Sequence, residues 1–441
     1  MAMDGIQTTN PGRTRRAAVG IFLVCLVVYH ANGRPQPEVD CITGPYVAWS
    51  LLRHGSLDLR GCPDLERYVG TEVRELPDGR WVSARPPGSA LAALPFVAPF
   101  TLGRSTPLSL VNMVHLGKLT AAVSVAGAAA FFFLICRRLA PGAAWPATIL
   151  FGLGTCLWSV ASQALWMHGP ATFWLTLALY LLLPTPAPLR PGRAGLAGLA
   201  LGLAIVTRPT TAFFGLASGL ALLVRRRWAA AFALGFGAVP PVLGFCLVNL
   251  HLFGSPFLGG YVTDNWTEHP PLWLGVTGLL IAPSRGVLVY SPALMLLPLG
   301  LFLLGRRPVE TEKESRAVLL FWSAAAAATV VFFARWHDWF GGWCYGPRFL
   351  CETMPIGCLL FALAYSALAA VWQKRLALTL VAWSVGIHFL GVAGRGGFAD
   401  WYLRHNFADQ GRAMFTWRDT QVEAHARAVL RKVGAVFGNK R

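Results

Sequence analysis

Runs of roughly 20 apolar residues, the length that crosses a bilayer as a helix, recur along this chain, and a basic cluster closes them at every second boundary. The clusters are Arg13/Arg15/Arg16, Arg137/Arg138, Arg190/Arg193, Arg225 to Arg227, Arg306/Arg307 with Lys313/Arg316, and Lys374/Arg375. In lipid only helices and closed barrels satisfy their backbone polar groups, and barrel strands would alternate in polarity, which these runs do not. The expected fold is therefore an all-α polytopic membrane protein. A net charge of +18 on a chain that is 55% hydrophobic and 13% charged raises nucleic acid as a partner, but no soluble basic domain exists to carry it. The charge marks instead the side of the membrane on which loops stay. The first apolar run, 17–29, lacks a small-residue cleavage site and reads as an uncleaved anchor.

The runs predict about eleven spans, near 17–30, 110–135, 143–161, 169–184, 194–207, 210–224, 228–250, 286–304, 317–334, 350–371 and 376–394. The chain then divides into a cytoplasmic tail (1–16), a transmembrane domain (17–394) and an extracytoplasmic tail (395–441). The N-terminus is expected in the cytoplasm of a bacterium, in its inner membrane, and the C-terminus outside. Segment 89–103 holds Pro95 and Pro99 and has no basic cluster before the next run; it reads as a re-entrant or surface-lying helix. The run 194–207 ends early at Arg208-Pro209, which would leave Arg208 in a cavity.

This topology puts four polar segments outside: 31–109, 251–285, 335–349 and 395–441. The first is far longer than a connection needs to be. It carries Glu38 and Asp40 close to the end of the first span, followed by an amphipathic stretch through Tyr46 that should lie along the membrane plane as a juxtamembrane helix. A carboxylate shielded there suits a general base; an acidic residue in an outer loop is also commonly just solvated. Arg208, Arg285 and Arg348 each sit at an outer span end beside Pro or Gly. Singly such arginines snorkel to headgroups; together they suggest a site for phosphate, which guanidinium grips with two parallel bonds. Trp343 and Tyr345 in "FGGWCYGPRFLCETMP" would wall that site or serve as interfacial anchors. Glu352, four residues after Arg348, is expected to orient it as a helical i,i+4 pair, or to form a buried stabilising pair with it. His168 in "WMHGP" reads as a packed polar cap or a site wall. No His/Asp/Glu cluster has metal-ligand spacing, so no divalent cation can be derived, and no P-loop or GxGxxG implies a nucleotide. Cys41 and Cys62 share the first outer loop and could form a bridge, with Cys344 as a competitor. In the tail, Val422, Ala426, Val429, Val433 and Val436 make one helical stripe, to be laid on the outer leaflet or packed on the protein's own loops. A membrane transferase with a phosphate-linked lipid donor would need these parts.

The stretches "EVD", "YVAWSLLRHGSLDL", "ARPPGSALAALPFVAP", "QALWMHGPATFWLTLALYLLL", "GLALGLAIVTRPTTAFF", "GLLIAPSRGVLVYSPALMLLPLG" and "WFGGWCYGPRFLCETMPIGCLLFA" resemble the bacterial GT-C superfamily of membrane glycosyltransferases, in its family 39-like branch, over about 15–400. The resemblance implies a helical bundle with outer juxtamembrane helices and a polyprenyl-phosphate-linked sugar as donor. It matches Asp40 to the superfamily's first-loop catalytic aspartate, with Glu38 as the alternative, and brings Arg85 of "ARPPG" into the phosphate-binding set. Val39 stands where the branch often has glycine, and Asp264 is the available acid of the second outer segment. The acceptor stays open. Two other readings remain: a lipid or glycan transporter, whose usual inverted repeat is not found here, and a catalytically inactive scaffold.

Overall fold

A computed structural model describes residues 11–101, 103–183, 189–257, 259–260, 269–306, 313–394, 401–405 and 410–438; side chains at 313–314, 410–412 and 436–438 are not described. The candidate Asp264 lies outside the described residues. In chain order the helices are α1 (Pro11–His30), α2 (Thr43–His54), α3 (Gly88–Val97), α4 (Leu110–Leu139), α5 (Ala144–Leu153), α6 (His168–Leu182), α7 (Pro191–Thr207), α8 (Ala212–Val224) and α9 (Trp228–Phe253). There follow α10 (Leu272–Ile281), α11 (Val287–Tyr290), α12 (Leu297–Arg306), α13 (Lys313–Ala334), α14 (Met354–Ala367), α15 (Val371–Ala393) and a C-terminal helix, Gln421–Gly438. Segments 110–139, 228–253, 315–334, 348–367 and 371–393 are long and apolar enough to cross a membrane; shorter apolar helices fill the bundle between them.

Two expected spans are broken. The run 286–304 becomes α11, a 3-10 turn at Pro292–Leu296 and then α12, because Pro292 and Pro298 remove the N–H groups a continuous helix would need. The run 143–161 stops at Leu153 and resumes as a π turn over Leu157–Ala161. The second outer segment is not all polar loop, since α10 packs on α13 within it. Segment 89–103 becomes α3, ten residues long with Pro95 inside; at 1.5 Å per residue it is too short to span, and it packs on α2, α4 and α7.

Among the described residues the most extensive helix contact is that of α7 with α9. A Cβ on Gly198 would overlap the carbonyl of Leu234, and one on Gly237 the carbonyl of Gly195. In lipid, helices associate through such close approach of backbones rather than through hydrophobic burial. Gly198→Leu should therefore separate the pair and cost about 1–3 kcal/mol, read as a lower melting temperature of the detergent-solubilised protein; unchanged melting would mean that the contact carries no stability.

Candidate active site

Four segments far apart in sequence meet at one end of the bundle. After α1 the chain runs extended, held by Gln36 N donating to Gln163 O (2.9 Å) and Gln36 Nε2 to Val392 O (2.8 Å). It then makes a 3-10 turn, Val39–Cys41, that presents Asp40. Beyond α2 a hairpin pairs β1 (Val73–Glu75) with β2 (Trp81–Ser83), Val73 opposite Ser83. This register sets Glu72 and Arg85 side by side just past the strand ends, where Ala84 N donates to Glu72 O at 2.8 Å. Thr43 and Ser83 hydroxyls, 2.8 Å apart, fasten the hairpin to α2.

Arg85 grips Glu72 through Nε and Nη2, both at 2.6 Å, and also donates from Nη2 to Asp40 Oδ1 at 2.9 Å. The other carboxylate oxygen of Asp40 accepts from Arg348 Nη1 at 3.0 Å. Burial pushes the Asp40 carboxyl up, but the guanidiniums of Arg348 and Arg85 outweigh it and hold the carboxyl below its usual range. The Arg348 guanidinium lies over the ring of Trp166, 4.6 Å from its centroid, and makes no other hydrogen bond among the described residues, so most of its donors are unspent.

Behind this group lies a second one. His168, the first residue of α6, meets Glu352 Oε1 through Nδ1 at 2.8 Å, and Arg208 Nε stands 3.2 Å from the same oxygen. All three side chains are buried. Phe349 separates the two groups, with Arg208 at 5.6 Å and Arg348 at 5.1 Å from its ring. The expected pairing of Glu352 with Arg348 is thus wrong. Residues 348–353 form a 3-10 helix, in which positions four apart diverge by roughly 120° instead of lying on one face. Arg348 turns to Asp40, and Glu352 to His168 and Arg208.

The structure does not bring every candidate together. Arg285 is fully buried elsewhere and donates from Nη1 to Cys344 O and Gln421 Oε1, both at 2.7 Å, and from Nη2 to Gly342 O at 3.0 Å. It holds the glycine loop ahead of Arg348. Tyr46 is on the buried face of α2, its hydroxyl donating to Asp64 Oδ2 at 2.8 Å. Trp343 and Tyr345 line a cavity of about 200 Å³, partly open to solvent, together with Gln36, Glu38, Trp166 and His425. Cys41 and Cys62 are free thiols in separate hydrophobic clusters, so the contemplated bridge is absent. The C-terminal helix uses only the start of its valine stripe: Val422 packs partly on Tyr290, Tyr345 and Ile387, while Val433 is exposed. The helix packs on α15, and its most buried residues are Gln421, Ala424, His425 and Ala428.

Glu72 and Gln421 escaped the sequence reading. Glu72 is the acid of "GTEVREL", visible only once the hairpin register is known. Among the described residues no three of His, Cys, Asp and Glu assemble as metal ligands. Asp40 and Glu72 surround Arg85 rather than an open position, so this donor set does not fit a divalent ion.

A second cavity has Asp40 and Arg85 in its own wall. It is lined by Val82, Pro86, Ala90, Val248, Leu252 and Phe253 among others. Its α9 wall belongs to a helix whose outward face is bare, Phe232 and Phe236 being 75% and 80% exposed. The Asp40 group therefore stands between an apolar cavity beside a lipid-facing helix and an aromatic, polar one.

No family model matches the chain, and no curated protein matches it either. Among solved structures, the crystal structure of ArnT from Cupriavidus metallidurans in the apo state superimposes with a TM-score of 0.55 at 16% identity, over 94% of this chain and 75% of that one. The chain therefore has the helical membrane-protein fold seen in ArnT.

Proposed function

We propose that the protein is a membrane glycosyltransferase of the bacterial inner membrane. It moves a sugar from a polyprenyl-phosphate donor to an acceptor on the outer face, with its N-terminus in the cytoplasm and its C-terminus outside. The observation that carries this reading is the pairing of an ionised Asp40 with an Arg348 whose donors are mostly unspent, set between an apolar and an aromatic cavity. ArnT, the fold relative, is an undecaprenyl-phosphate-linked sugar transferase, which supports the same class of donor here.

In this mechanism the isoprenoid enters from the bilayer beside α9 and occupies the apolar cavity. Its phosphate takes the free donors of Arg348, with Arg208 behind Phe349 adding positive potential. Arg85, held by Glu72, keeps Asp40 in place. Phosphate at Arg348 competes with Asp40 for the guanidinium, so donor binding loosens the carboxylate and restores its basicity. The acceptor oxygen then attacks the anomeric carbon and gives its proton to Asp40. The carbon–oxygen bond to phosphate breaks, its electron pair stays on the phosphate oxygen, and Arg348 stabilises the charge that develops there.

Arg348→Gln tests this. Loss of a charged hydrogen-bonding partner should weaken donor binding roughly ten- to hundredfold. The pH dependence should change too. In the wild type the Asp40 pKa is depressed, so the base stays ionised as pH falls and the acid limb of kcat/KM lies below the ordinary carboxylate range. Removing Arg348 leaves burial less opposed, the pKa rises, and the limb moves to higher pH. An unmoved limb together with unchanged donor affinity would remove Arg348 from the site.

A further inference from the structure

We propose that the cavity between the first outer loop and the C-terminal helix is a sugar-ring pocket, lined by Trp166, Trp343 and Tyr345 with Glu38, Gln36 and His425 as its polar contacts. The pocket stands on its own walls; only the source of the sugar rests on the transferase reading above.

The aromatic faces are held rigidly. Tyr345 donates its hydroxyl to Ile387 O at 2.8 Å, and its ring packs edge-on against Tyr290 at 5.2 Å and tilted against His425 at 4.4 Å. Trp343 lies on Tyr402 at 3.8 Å between centroids. Trp166 has the Arg348 guanidinium over its ring. Trp343, 42% exposed, offers the open face, and the nearly buried Trp166 and Tyr345 form the wall behind it; a planar ring fixed in advance binds at little entropic cost and suits the C–H face of a pyranose. Tight glycine turns help to set this geometry. Gly341, Gly342 and Gly346 all have left-handed φ (85°, 58° and 70°), which reverses the chain and displays Trp343 and Tyr345 into the cavity.

The polar groups select among ligand classes. A lipid chain here would bury the Glu38 carboxylate against hydrocarbon at high cost. An aromatic box with a carboxylate also suits a cation, but Arg285, Arg348 and Lys432 stand around this cavity and oppose positive charge. What remains is a neutral polyol: carboxylate and amide oxygens accept its hydroxyls. His425 completes the set. It lines the cavity while its Nδ1 donates to the Gln421 carbonyl at 2.9 Å. Burial holds that imidazole down at about 4 and therefore neutral.

The test is saturation-transfer NMR on the purified full chain in nanodiscs, with a panel of methyl glycosides, alongside native mass spectrometry with undecaprenyl phosphate and an undecaprenyl-phosphate-linked sugar. Trp343→Ala should cut glycoside saturation about fivefold or more, the scale of one lost aromatic contact, and Glu38→Gln, which keeps its shape, should also reduce it. Undecaprenyl phosphate should still bind to both variants. If the sugar comes from the donor, Trp343→Ala weakens the glycosylated lipid relative to the bare one; if it comes from the acceptor, the two lipids stay level and only the free glycoside is lost. Either pattern supports the pocket. No glycoside signal dependent on Trp343 or Glu38, with the two lipids unaffected, overturns it. The transferase reading fails separately, if undecaprenyl phosphate binding is indifferent to Arg348→Gln.

Discussion

Asp40→Asn lowers turnover of a polyprenyl-phosphate sugar by about 10² to 10⁴-fold, the range over which a positioned general base acts. Asparagine keeps the shape of the side chain and one acceptor for Arg348 or Arg85, but it cannot take a proton. The same change frees positive charge at the donor site, because Arg348 and Arg85 no longer share a carboxylate. Donor binding should therefore persist or tighten while turnover collapses. That opposite movement separates chemistry from structure: a merely structural Asp40 would lose both together. Radiolabelled donor turnover and donor binding measured on the same preparation, at matched protein level, decide it. Full turnover in Asp40→Asn would move the role to Glu38, which faces the aromatic cavity rather than the arginines.

The bundle was legible because lipid leaves the sequence few options. Apolar run length and basic clusters locate most helices, and where they fail the cause is local: Pro292 breaks one expected span and a π turn at Leu157–Ala161 breaks another. The site was legible in part. Asp40, Arg348 and Arg208 announce themselves as charges at the ends of greasy segments. Their pairing does not, since it depends on whether 348–353 is α or 3-10, and the stretch "RFLCET" carries no signal for that choice. Glu72 was hidden by a hairpin of three-residue strands, too short for a period-2 pattern to register. The C-terminal helix misled more deeply. Its valines form the apolar stripe, yet the buried face is Gln421, Ala424, His425 and Ala428. Hydropathy cannot find a face whose partners are an arginine and backbone carbonyls.

Among its described residues the tail holds no carboxylate beside the phosphate-binding arginines, which by itself would make it dispensable for chemistry, but its buried face argues the opposite. Gln421 is fully buried and joins four groups at once. Its Oε1 accepts from Arg285 Nη1 (2.7 Å), Tyr290 Oη (3.0 Å) and Gly346 N (2.9 Å), while its Nε2 donates to Cys344 O (2.8 Å). Two of these belong to the glycine loop that ends at Arg348. With Gln421 gone, the Gly346 N–H loses its side-chain acceptor and Cys344 O keeps only Arg285, each buried loss costing about 1–3 kcal/mol. What else fixes this loop of three left-handed glycines is Arg285 on Cys344 O and Gly342 O, the Tyr345 hydroxyl on Ile387 O and Trp343 on Tyr402, none of which holds the Gly346 N–H next to Arg348. Truncation after Thr416, or Gln421→Ala alone, should let Arg348 drift, and displacement by about 1 Å is enough to cost roughly 10² in rate. The point variant is the cleaner test because it keeps the helix and His425. It should fold, insert and run as a single species on size exclusion, yet lose turnover together with Arg348-dependent donor affinity. Turnover within twofold of wild type in a well-folded Gln421→Ala protein would show that the loop holds its course without Gln421, and that the C-terminal helix is as separable from the chemistry as its lack of a carboxylate beside the arginines suggests.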